Sequence, residues 1–91
     1  MKDFGSGGTH LATVAFEGEL WHAYLEAVDN PHRPDVFQGR LRFDAGNADP
    51  EASRATAVII VEDSYDTAVQ TAREFDERTL VAMLRSAAAI G

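Results

Sequence analysis

The chain has 91 residues, with eight basic against fifteen acidic side chains for a formal charge of −7, and no cysteine. That length fits a single domain with its own core, without disulfide or thiol-ligated metal to hold it. The acidic balance, with one lysine in the whole chain, argues against nucleic acid and against an anionic membrane surface, because both draw affinity from Lys and Arg. No apolar run approaches the roughly 20 residues of a membrane span. No signal-peptide pattern opens the chain, and the expected location is cytoplasmic.

Residues 1–8 are rich in Gly and Ser and are expected to form a flexible N-terminal segment, leaving 9–91 as a single α+β domain. From His10 onward the apolar pattern has period two. A turn at Glu17-Gly18 would join two strands and set Val14 opposite Trp21, Ala12 opposite Ala23 and His10 opposite Leu25. That register gathers Val14, Phe16, Trp21, Ala23 and Leu25 on one face. Glu-Gly is a weaker two-residue turn than Asn-Gly, so a three-residue loop is the alternative. Leu20, Trp21, Tyr24, Leu25 and Val28 also fall at helical spacing, but Trp, Tyr and Val fit a strand better.

Asp29 to Asp35 contains two prolines and reads as a connection. Val36 to Phe43 alternates, with Phe37, Leu41 and Phe43 on one side and Gln38, Arg40 and Arg42 on the other. Asp44 to Ser53, rich in Gly, Asn, Asp and Pro, reads as a loop. Ala57 to Val61 is apolar on both sides, which predicts a central or fully covered strand. The expected sheet is an antiparallel meander of about four strands.

The C-terminal third carries helical spacing. Asp63 or Ser64 can cap its start. Tyr65, Ala68, Val69, Ala72 and Phe75 form one apolar stripe, and Leu80, Met83, Leu84, Ala87 and Ala88 carry it on towards Ile90. The acidic pair Asp76-Glu77 favours a fresh helix start, so two helices packed on one sheet face are predicted over one bent helix. The expected core is Trp21, Phe37, Leu41, Phe43, Ile59, Val69, Phe75, Leu80 and Leu84.

No catalytic, metal-binding or cofactor motif is recognised. No two of the three histidines (His10, His22 and His32) stand closer than ten residues, whereas zinc wants three or four converging ligands. Glu62, Asp63 and Asp66 could serve as acid and base, but a helix N-terminus favours such residues anyway. Ser64 lacks the glycine-flanked elbow of a nucleophile and reads as a cap. Gly5 to Gly8 is not followed by the Gly-Lys-Ser/Thr of a phosphate loop.

The residues left over share the second sheet face. Tyr24 would lie there with His22, Glu26, Arg40 and Arg42, and with the apolar Leu20, Val28 and Val36. Tyr24, His22, Arg40 and Arg42 are therefore the candidate ligand or partner surface. The two arginines would stand about 7 Å apart along their strand. They either pair with Glu26 or bind an external carboxylate or phosphate. The expected function is a small interaction or regulatory module without catalysis, homodimeric or bound to a protein partner. The alternative is a small-molecule binder or minimal enzyme, its site between sheet and helices or on that outer face.

Overall fold

The computed structural model describes residues 8–29, 31–46 and 53–89. In chain order these form β1 (Gly8–Phe16), β2 (Glu19–Ala27), β3 (Phe37–Ala45), β4 (Arg54–Ala55), β5 (Ile60–Glu62), α1 (Tyr65–Arg73), α2 (Glu77–Ser86) and β6 (Ala88–Ala89). The strands pair antiparallel in the order β1-β2-β3-β4-β6, with β5 on the other end of β3. The domain is thus the expected α+β meander followed by two helices. Gly8 already belongs to β1, opposite Glu26, so the strand starts earlier than the composition suggested; residues 1–7 lie outside the described residues.

Glu17 and Gly18 both have positive φ, 52° and 83°, which is the two-residue turn whose twist matches a hairpin. Beyond it Val14 faces Trp21 and Ala12 faces Ala23, as the alternation requires. The register then shifts between His10 and Ala12, and His10 pairs with Tyr24 instead of Leu25. A bulge at this point lets Leu11 and Ala12, neighbours in sequence, both pack against the core. The segment 19–27 is a strand, not a helix.

Strand β3 runs two residues further than expected. Asp44 and Ala45 pair with His22 and Trp21 instead of starting a loop, and Ala45 is buried. Gly39 is needed in this strand, because a Cβ there would stand 2.8 Å from Leu25 Cδ1 and 2.9 Å from Phe37 Cε1.

The expected strand at 57–61 is not formed as such. Ala55 pairs with Arg42 and Ile60 with Gly39, so β4 and β5 share β3 as a partner but are separated by a two-residue slip. Within the slip Thr56 N–H donates to Leu41 O (2.9 Å), and Thr56 Oγ1 accepts Leu41 N–H (3.1 Å). That hydroxyl replaces a ladder carbonyl, so the chain can leave the sheet without orphaning Leu41. Two extra residues preserve the alternation, and Ile60 rather than Ile59 enters the core. Ile60 is 2% exposed, whereas Val58, Ile59 and Val61 are 39%, 41% and 53% exposed, so the segment is neither central nor covered.

Ser64 caps α1, its Oγ accepting Thr67 N–H at 3.2 Å, and Asp76 caps α2 by accepting Thr79 N–H at 2.8 Å. Helix α2 stops at Ser86 and does not continue to Ala88. Leu84 O accepts Ala87 N–H (3.2 Å) and Arg54 Nη1 (3.4 Å), after which Ala88–Ala89 pairs with β4. Ile90 lies outside the described residues. The core between sheet and helices joins Val14, Phe16, Trp21, Ala23, Leu25, Leu41, Phe43 and Ile60 to Ala68, Ala72, Leu80 and Leu84. Phe37, Val69 and Phe75 pack on it from its margin.

Candidate binding face of the sheet

Antiparallel partners share a face, so the register fixes which side chains meet on the side away from the helices. One row is Thr13, His22 and Asp44; the next is His10, Tyr24, Arg42 and Ala55; the third is Gly8, Glu26 and Arg40. All four residues singled out in the sequence, His22, Tyr24, Arg40 and Arg42, fall in these adjoining rows.

Glu26 organises one half of the array. Arg40 Nε donates to its Oε1 at 2.6 Å and Arg42 Nη1 to its Oε2 at 2.8 Å. Arg42 Nε also reaches Asp44 Oδ1 at 3.2 Å, and Ser53 Oγ donates to the same oxygen at 2.7 Å. The Arg42 guanidinium lies 4.8 Å over the Tyr24 ring. Arg42 is 7% exposed, so its stem and head are part of the sheet rather than a surface antenna. The two arginines follow the pairing alternative: their donor forks are turned onto Glu26 and Asp44, and two positive charges meet two negative ones.

The other half is built from imidazoles. Thr13 Oγ1 lies 2.8 Å from His22 Nδ1 and 3.3 Å from His10 Nε2, so one hydroxyl links two rings whose centroids are 5.6 Å apart. A hydroxyl carries a single proton, so at least one of these contacts uses a ring N–H as donor. His10 also meets Tyr24 edge-on, at 5.4 Å between centroids. From Thr13 to Arg40 the face is thus one chain of contacting polar and aromatic groups.

Sequence reasoning missed His10, Thr13, Asp44 and Ser53. The bulge brings His10 onto this face, and its signal was the adjacent apolar pair Leu11-Ala12, which breaks the alternation. Asp44 and Ser53 were hidden in a stretch that reads as loop.

The rest of the chemistry-bearing residues serve the fold. Glu62 Oε2 accepts Thr71 Oγ1 at 2.9 Å, which ties β5 to α1, and Ser64 is occupied as a cap. His32 lies on an exposed turn after β2. Among the described residues no group of three or more His, Asp or Glu side chains could hold a metal ion. At the sheet–helix interface, where the alternative placed one site, Ala23, Leu41, Phe43, Ala68 and Leu84 are each 0% exposed. Open hollows of about 470 Å³ and 420 Å³ lie on the outside of α2 and beside the loop after β2. Among the described residues no helix is long and apolar enough to cross a membrane.

Comparison with protein-family models, with curated protein sequences and with solved structures gave no significant match.

Proposed function

We propose that this chain is a small cytoplasmic interaction module, homodimeric, that works by binding and not by catalysis. The observation that carries this reading is the asymmetry of the sheet. Both helices pack on one face around a buried core, and the other face carries an ordered array of His10, Thr13, His22, Tyr24, Glu26 and Arg40. These side chains already hold one another, so a partner would find much of their rotamer entropy lost in advance. With its arginines turned onto Glu26 and Asp44, the face suits a protein surface offering hydrogen bonds and aromatic contact better than a free anion. The net charge of −7 counts against nucleic acid and anionic membranes as partners.

Native mass spectrometry of the purified protein separates this from the small-molecule alternative. The expected spectrum holds twice the polypeptide mass and nothing else. A stoichiometric small-molecule adduct that survives desalting would move the function to ligand binding.

A further inference from the structure

We propose that the outward face of α2 is a second interaction surface, which takes an acidic helix of a protein partner on Arg78 and Arg85. It lies apart from the polar sheet face, because α2 packs through Leu80 and Leu84 on the opposite side of the sheet.

Charge sets this face apart. Arg33, Arg40 and Arg42 are ion-paired to carboxylates. Arg54, Arg73, Arg78 and Arg85 make no ion pair among the described residues, although the chain has fifteen acidic side chains against eight basic ones. Arg78 and Arg85 line the hollow of about 470 Å³ on α2, together with Glu77, Val81 and Ala82. Arg54 adjoins it: the guanidinium donates to Leu84 O at 3.4 Å and lies 6.0 Å over the Phe16 ring, which Arg85 approaches to 5.9 Å. Glu77 is the single carboxylate lining the hollow, so the face carries net positive charge.

The fold alone accounts for Arg85, since the last turn of a helix favours a cation. It does not account for Arg78. That residue is exposed in the first turn of α2, two positions after the cap Asp76, where the helix dipole disfavours positive charge. No ion pair within the chain offsets that cost.

Spacing selects the partner. Arg78 and Arg85 are nearly two helical turns apart, so they share a face at about 10 Å along the axis. Between them Val81 is half-buried and Ala82 is exposed, a shallow apolar floor. A partner helix with carboxylates seven residues apart meets both arginines at once and lays its small side chains on that floor. An extended strand does not match, because its same-face carboxylates stand about 7 or 13 Å apart. A free anion would use one arginine and stay open to water. A second copy fits badly: antiparallel α2 helices paired about the middle of the hollow set Arg78 against Arg85, and parallel ones set each arginine against itself.

The test measures fluorescence anisotropy of a labelled, alanine-rich helical peptide carrying two glutamates seven residues apart, with its glutamine counterpart as control. The full wild-type chain should bind the glutamate peptide and not the glutamine one, and added salt should weaken binding. Arg78→Glu and Arg85→Glu should each weaken it about tenfold or more, with the melting transition retained. Arg33→Glu, the same change in net charge on the loop before β3, should cost less than about threefold. In amide spectra the peptide should move residues of α2 first. Equal losses at all three positions would reduce the effect to overall charge and overturn the site. Displacement by inorganic phosphate at the peptide's own concentration would overturn the helix as occupant in favour of a free anion. A wild-type dimer that Arg78→Glu dissociates would overturn it in favour of a second copy. No binding by wild type, or amide shifts confined to the outer sheet face, would overturn the surface altogether, and both readouts decide even if Arg85→Glu does not fold.

Discussion

The two faces of this sheet are built from the same three strands and solve different problems. The inner face is apolar, with Trp21, Leu25, Leu41 and Phe43 at 0–4% exposure beneath the helices. Its free energy comes from area removed from water and does not depend on exact partners. The outer face holds two arginines, two carboxylates, two imidazoles and a tyrosine in one contact chain. Its order comes from pairings that are each weak in water, and it adds less to stability than to the shape presented outward. The helices cover one face only, and on the proposed reading the other face is left for recognition.

That division predicts a graded response to mutation. Phe43→Ala on the inner face should cost about 3–5 kcal/mol, since the side chain is wholly buried in the core cluster and its neighbours cannot all collapse onto the void. Urea unfolding should show it as a large drop in midpoint. A small drop would mean that the inner face is loosely packed. Arg42→Gln should rank second, at about 2 kcal/mol, between the range of surface pairs and that of buried ones, because Arg42 is 7% exposed and serves both Glu26 and Asp44. Arg40→Gln should cost no more than about 1 kcal/mol, and raised salt should shrink that cost. Equal losses for Arg40 and Arg42 would erase the distinction drawn between them.

The smallest effect belongs to neither face. Hydrogen bonds from the Thr79 backbone, and then from its side chain, hold the exposed Asp76 carboxyl below its ordinary value of 3.8. Its folded pKa lies below the unfolded one, so its stabilisation is present above about pH 3.8 and is lost as pH falls through the lowered value. Asp76→Asn keeps a capping oxygen without the titration. Melting temperatures of wild type and variant, compared along an acid series, should therefore converge as the wild-type carboxyl protonates.

Much of the inner face was legible because burial imposes period two. Val14, Phe16, Trp21, Ala23, Leu25, Leu41 and Phe43 announce themselves by alternation alone, and so do His22, Tyr24, Arg40 and Arg42 on the reverse side. What escaped were the places where the chain departs from a regular ladder. The bulge at Leu11 moves His10 across the sheet, and its one local trace is the adjacent apolar pair Leu11-Ala12, which a strand end can equally show. The slip at Thr56 to Ile59 depends on one hydroxyl reaching Leu41, a residue 15 positions earlier. The end of α2 depends on Arg54, 30 residues away. The apolar run Ala57 to Val61 misled for a more instructive reason: its composition suits a strand covered on both sides, yet in the single chain it lies at an edge.

Size exclusion with light scattering on wild-type protein at micromolar concentration tests the central claim most directly. A homodimeric interaction module elutes at twice the mass of the 91-residue chain. A single-chain mass at every concentration tried would contradict it.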